Sequence, residues 1–397
     1  MRKLVLASFV VVMCACSGEG PGGGTGGGTG GTGGGANPSS SCTTATLFAG
    51  NPLHDDPMAR PTDGTGLLAD PPLLYRQVVF SSGQLLTHVG QEIWRASLTD
   101  RLLHKVAGTE RNQQALTTGP CAQARFANIF HIAVASDGAL FVSDQTANAI
   151  LKVTDPLGPG CSVERWAGAA MDYAEGSLNP SNPPNVGDVD GPGVMAKFSL
   201  PERMALDASD NIYVWDEGNN AIRKIANDAA HTVSTFVDAI APNGAAVVSQ
   251  TFMNGTLYVW GTEGNDVFLN AYDASGTKTV LLKGRPDLFG GASGDSKTLG
   301  TIVNDGSSLI VYFTGQLFRI GTDGKVSAPL AGVYKPGLDF TSGYDPKASQ
   351  PADKVQLLAL SQGATAGLNA WVTLDENKDL YVSARADNSY VQKIDCN

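Results

Sequence analysis

Apolar and polar positions alternate in short runs along most of the chain, punctuated by turn-forming Gly, Asn and Asp. The stretch from 203 to 237 shows the pattern: "RMALDA", "NIYVWD", "AIRKI" and "TVSTFV" read as four short strands separated by turn signals. In the second, Ile212 and Val214 alternate with Tyr213 and Trp215, so both faces carry apolar bulk. A strand apolar on both faces must be covered on both, which suits sheets packed face to face around an axis.

That four-strand unit recurs. "GPCAQARFANIFHIAVASDGALFVSDQTANAILKV" (119–153) aligns without a gap on "GPGVMAKFSLPERMALDASDNIYVWDEGNNAIRKI" (191–225). Phe126 falls on Phe198, Asp144 on Asp216, Asn148 on Asn220, Ile150 on Ile222 and Lys152 on Lys224. Weaker copies lie at 255–272 and 375–394, and two with a shorter Gly-Gln hairpin at 87–96 and 311–320. Several units end on an Ala-Gly pair: Ala107-Gly108, Ala167-Gly168 and Ala331-Gly332. The units fall near 70–108, 119–168, 191–238, 244–284, 298–332 and 353–395, which makes six. Such self-similarity marks a repeat architecture.

"FVSDQTANAILKV" and "YVWDEGNNAIRKI", the latter preceded by "DGPGVMAKFSLPERMALD", resemble the NHL-repeat family of β-propellers. The likeness is specific over 119–225 and fainter elsewhere. It implies an all-β fold: a six-bladed propeller of four-stranded antiparallel blades. The chain ends fit that ring. The last unit stops at "VQKIDCN" after its third strand, and "CTTATLFAGN" near the start of the folded part (42–397) reads as an isolated fourth strand. The N-terminal strand is expected to complete the last blade, removing open sheet edges. Cys42 and Cys396 then face each other across the seam, and a bond there is worth on the order of 4–5 kcal/mol in the chain-entropy model. For Cys121 and Cys161, parity favours a second bridge. Blade topology opposes it, because one cysteine precedes the inner strand and the other begins the outer strand, about 15–20 Å away. Both alternatives stay open.

Residues 1–16 read as an export signal: Arg2-Lys3, an apolar run from Leu4 to Met13, and "MCACS". Ala15-Cys16 resembles the lipobox of bacterial lipoproteins, with Cys16 lipidated. Residues 17–41, "SGEGPGGGTGGGTGGTGGGANPSSS", have almost nothing to bury and act as a flexible tether reaching roughly 25–30 Å. The expected location is the cell envelope, held by lipid alone. Ser17 resembles an outer-membrane sorting signal, with the folded part facing periplasm or exterior.

A formal charge of -11 argues against nucleic acid as a partner. No HExxH, GxSxG, Walker loop or CxxC is present. Among five histidines, His131 sits at the start of an inner strand, placed to line the channel. Asp188 and Asp190 in "GDVDGPG", and Asp63 in "DGTGLLAD", are the weak candidates for a divalent ion. Asp-Gly pairs are ordinarily turn chemistry. Asp144, Asn148, Asp216 and Asn220 recur between units, which favours hairpin chemistry over a unique site. Together with Asp63, Asp188 and Asp190 they make the expected contact face rich in Asp and Asn.

The resemblance implies a rigid interaction platform, so the expected function is a non-catalytic one, tethered to the membrane through Cys16 and binding a protein or glycan partner, with a monomer and no cofactor expected. The alternative is a hydrolase or lyase, lactonase-like or amidating-lyase-like, with calcium or zinc at the central channel.

Overall fold

The computed structural model describes residues 42–50, 64, 77–99, 101–109, 115–169, 172, 185–241, 245–263, 266–284, 299–313, 316–332, 349–352, 371–385 and 389–396. Cys16, the 17–41 tether and Asp63 lie outside them.

Six antiparallel sheets form the ring, a six-bladed β-propeller. Blade three runs Pro201–Leu206, Ile212–Asp216, Ala221–Ile225 and Val233–Val237 from the axis outward, in the order its sequence pattern predicts. The two-faced strands account for the ring. All five residues of Ile212–Asp216 are buried. Val214 packs with Phe141 and Ile150 of blade two, while Tyr213 and Trp215 pack with Val259 and Phe268 of blade four. The same division holds round the circle. Six apolar clusters each join two consecutive blades, the last uniting Phe48, Tyr381 and Val391 with Val78 and Trp94 of blade one.

Closure follows from the chain ends. Cys42–Gly50 lies antiparallel to Ser389–Cys396, with Ala45 opposite Ile394, and supplies the fourth strand of blade six. Cys42 and Cys396 form a disulfide at the seam. The terminal Ala-Gly pairs have a steric cause. Gly108, Gly168 and Gly332 sit at φ +95°, +101° and +91°. A Cβ on Gly168 would lie 2.6 Å from the Asn148 carbonyl oxygen, so the outer strand can leave the sheet there only through glycine.

Cys121 and Cys161 are also bonded. The separation of one blade height, which weighs against this pair in the sequence, is removed by the course of the lead-in segment. Gly119–Pro120 runs antiparallel along the outside of the outer strand Ser162–Ala167 before the chain reaches the inner strand. The Cys121 N–H thereby donates to the Cys161 carbonyl at 3.1 Å. Blade three repeats the manoeuvre with Gly191 against Val233. Gly193 and His231 occupy the places of the two cysteines there; a Cβ on Gly193 would stand 3.0 Å from the His231 Cβ. Two disulfides are what an exported chain carries. Among the described residues no helix is long and apolar enough to cross a membrane.

Candidate functional site

The hairpin residues are structural. Asp144 closes its strand fully buried, its carboxylate accepting N–H bonds from Ala127 (2.7 Å), Asn128 (3.0 Å) and Ala147 (3.0 Å). Burial pushes its pKa up, and the three N–H groups oppose that shift. Asn148 and Asn220 both take the left-handed conformation, at φ 53°. Each reaches onward to the next blade: Asn148 Oδ1 accepts from Leu200 N (2.9 Å), and Asn220 Oδ1 accepts from Ala241 N (2.9 Å). These amides therefore staple neighbouring blades. With Asp144, Asn148 and Asp216 buried, the surface of this face is made by other residues.

Asp188 and Asp190 do converge, on a guanidinium. Arg223 is fully buried and binds Asp188 (2.8 Å), Asp190 (2.5 Å) and Asp216 (3.1 Å), with its group over the Phe198 ring. Three carboxylates meeting on one arginine have their cation built into the chain. Among the described residues no cluster of three or more His, Cys, Asp or Glu is arranged to hold a metal ion.

What differs from blade to blade gathers at the axis. One residue near the start of each inner strand stands at an equivalent place: Gln77, His131, Arg203, Ser249, Thr301 and Trp371. All six are buried. Three of them cap the open inner edge of the next blade. Gln77 Nε2 donates to the Ile132 carbonyl (2.7 Å), and its Oε1 accepts from Ile132 N (2.7 Å). Ser249 Oγ accepts from Ile302 N (3.1 Å), and Thr301 Oγ1 from Val372 N (2.5 Å). The other three fill the middle. The guanidinium of Arg203 stands 5.5 Å over the Trp371 ring, and the His131 ring lies 5.7 Å from the same tryptophan. The inner strands enclose a cavity of about 270 Å³ lined by His131 and Trp371.

Sequence reasoning picked out His131 alone of this set. The position is visible afterwards as the residue before the apolar pair in "QVV", "HIA", "RMA" and "TIV". It carries no repeat signal, since every blade uses a different residue type.

Solved structures resemble this ring at low identity. A Bacteroides thetaiotaomicron protein of unknown function matches with TM-score 0.55 at 11% identity, over 90% of this chain and 76% of that one. An auxiliary nutrient binding protein from Bacteroides ovatus matches with TM-score 0.53 at 11% identity, over 90% of this chain and 77% of that one. These likenesses show the fold. A streptogramin B lyase aligns more loosely, with TM-score 0.47 at 12% identity, over 89% of this chain and 98% of that one. No family model matches the chain, and no curated protein matches it in sequence.

The channel histidine makes stability depend on pH. Burial, then the charge of Arg203, then His88, hold the His131 pKa well below the ordinary 6.5. Below pH 6.5 the unfolded chain takes up this proton and the folded one does not. The stability linked to His131 is therefore fully present above pH 6.5 and is lost as pH falls, by at most about 1.4 kcal/mol per pH unit. His131→Gln removes that dependence. In urea unfolding at pH 7.5 and 5.5, the variant gains on the wild type at the lower pH. Parallel pH profiles for the two proteins contradict the assignment.

Proposed function

We propose that the protein is an exported, lipid-anchored β-propeller that serves as a non-catalytic binding platform in the cell envelope, acting as a monomer on a protein partner. The loop ahead of blade three carries this reading. Val186, Val189, Val194, Met195 and Leu200 are all exposed in it, Val194 at 60% and Met195 at 66%. Only Leu102 and Val280 are comparably exposed among the other large apolar side chains of the described residues. Half-exposed Asp188 and Asp190 stand within the same loop. Concentrated apolar surface with a polar rim is the composition of a protein-binding patch. A glycan-binding face would be expected to lead with aromatic rings, and among the described residues of this loop (185–200) the one aromatic side chain, Phe198, is fully buried.

Other features support the reading less directly. The lipobox at Cys16 and the 17–41 tether fit display at a membrane, in the outer membrane if Ser17 acts as a sorting signal, and the two disulfides fit an oxidising compartment. The NHL-type repeats fit a rigid interaction scaffold. The nutrient-binding propeller of Bacteroides ovatus provides a parallel for binding on this architecture, although fold alone names no activity.

The test is affinity capture from the native envelope with full-length protein and a Val194→Asp, Met195→Asp variant. Both side chains are exposed, so the substitutions should change stability by no more than about 0.5 kcal/mol. An envelope protein retained by the wild type should be lost from the variant. Equal retention by the two forms rejects this surface as the contact.

A further inference from the structure

Blades two and three are entered through the same turn, and their comparison isolates what blade three has added. In blade three the Met195 and Ala196 N–H groups donate to the Pro192 carbonyl (2.8 and 3.0 Å), and Lys197 N donates to the Val189 carbonyl (3.0 Å). In blade two Gln123 and Ala124 donate to the Pro120 carbonyl (2.8 and 3.0 Å), and Arg125 N donates to the Thr117 carbonyl (3.0 Å). One backbone therefore carries two surfaces. Val189, Val194, Met195 and Leu200, all exposed, stand where blade two has Thr117, Ala122, Gln123 and Asn128. The turn does not need these apolar side chains, since its twin folds without them. It is also fixed in place: the Gly187 carbonyl accepts from Asn219 Nδ2 (2.8 Å), and Asp190 accepts from Thr235 N (3.0 Å). A surface already held loses little freedom on docking.

The same comparison gives the charge of the border. Asp188, Asp190 and Glu217 replace Leu116, Thr118 and Gln145 of blade two. All three acids are exposed, and Glu217 stands beside Leu200, its N–H donating to the Leu200 carbonyl (3.3 Å). Arg223 offsets the acids only in part, since one guanidinium faces the carboxylates of Asp188, Asp190 and Asp216. It is fully buried, out of a partner's reach. Lys197, the one cation of residues 185–200, is half-buried with its methylenes against Gly187. The loop thus shows solvent an apolar centre and a net negative edge. Such an edge repels anionic lipid, and a second copy docked through the same patch would set acid against acid.

We propose that the loop ahead of blade three docks an apolar protein segment bordered by Lys or Arg, an assignment that rests on this loop being the contact proposed above. Val194 and Met195 meet the apolar centre of that segment, and its cations lie over Asp188, Asp190 and Glu217. Complementary charge of this kind selects the partner and speeds encounter, while the buried apolar centre supplies most of the affinity.

Selection of a random-peptide phage library on the full-length protein, with counter-selection on the Val194→Asp, Met195→Asp variant, tests the assignment. The variant carries two more negative charges, so peptides drawn by charge alone hold to it at least as well and are removed. The surviving peptides are expected to hold more Lys and Arg than Asp and Glu, beside large apolar residues. Survivors without that excess overturn the proposal and leave the loop standing as a contact. No survivors also overturn it, and the envelope capture then judges the loop by itself. A surviving peptide, titrated by fluorescence anisotropy, should bind Glu217→Gln about two- to fivefold more weakly than the wild type, the effect of one exposed ion pair. Glu217→Gln installs the residue blade two uses at this place, so the fold is kept. The peptide should also weaken as salt is raised from about 0.05 to about 0.5 M. Affinity indifferent to both changes overturns the proposal. So does a dimer, or binding to phosphatidylglycerol vesicles, that the wild type shows and the Val194→Asp, Met195→Asp variant loses, since the patch then belongs to a second copy or to lipid.

Discussion

Replacing Cys42 and Cys396 together by Ser is expected to lower the stability of the propeller by about 5–6 kcal/mol, at or just above the top of the usual range for a single disulfide. The bond joins residues 354 apart in sequence, so in the unfolded chain it closes a loop of nearly the whole folded part. The entropy that such a crosslink removes grows with the logarithm of the loop. Cys121 and Cys161 are 40 apart, and their replacement is expected to cost less, about 3–4 kcal/mol. The native state adds to the difference. The seam strand Cys42–Gly50 carries Ala45 into the cluster between blades five and six and Phe48 into the one between blades six and one. Freeing its end therefore loosens two of the interfaces, and exposes the edge of Ser389–Cys396 to pairing with another chain. The Cys121–Cys161 bond instead ties a lead-in segment to its own blade. Urea unfolding of the two double variants and the wild type gives the three free energies. A seam variant that loses no more than the Cys121→Ser, Cys161→Ser variant contradicts the closure argument.

The architecture was legible because a propeller repeats its constraints. The Asp and Asn of the hairpin recur at 144 and 148 and again at 216 and 220, since each hairpin needs a carboxylate to collect N–H groups and a left-handed residue to turn. The missing fourth strand of the last unit and the spare strand at Cys42 likewise pointed to the seam. The Cys121–Cys161 pair was not legible, because nothing in its local pattern reveals that a lead-in loop runs back along the outer strand. The channel was hidden for a different reason. Its six positions hold Gln, His, Arg, Ser, Thr and Trp, so alignment of the units finds only variation there. A place where every repeat departs from the others is where a ring of equivalent blades can acquire one asymmetric site. Asp188 and Asp190 were conspicuous as carboxylates, yet their partner Arg223 was inconspicuous inside a strand.

Arg223→Met is expected to cost about 3–5 kcal/mol at pH 7.5, the loss typical of removing one partner from a buried ion pair. The side chain is fully buried, and so is the carboxylate of Asp216 that it binds. Asp188 and Asp190 are 59% and 48% exposed, and losing their share of the contact costs little because water replaces it. The penalty therefore resides on Asp216. Burial already pushes its pKa up to about 6, against the hydrogen bonds from Asn219, Ser199 and Arg223. Without Arg223 the pKa rises further, and the protonated acid becomes the stable form at mildly acidic pH. A carboxyl group raised in the folded state favours folding below its unfolded pKa and loses that contribution as pH climbs through the folded value. The gap between wild type and Arg223→Met should accordingly narrow from pH 7.5 to pH 5.5. Adding Asp216→Asn to Arg223→Met should recover part of the loss, because no buried charge then remains, and a double-mutant cycle measures the coupling. Blade two shows how such a hairpin holds its acid without an arginine: Leu151 aligns with Arg223, and Asp144 is satisfied by the N–H groups of Ala127, Asn128 and Ala147. In blade three one of those backbone donors is replaced by Asn219, and the arginine that completes the set also ties Asp188 and Asp190 of the apolar loop to the sheet. A loss below about 1 kcal/mol in Arg223→Met, or a gap that widens toward acid, would mean that Asp216 is held as Asp144 is, by the hairpin alone.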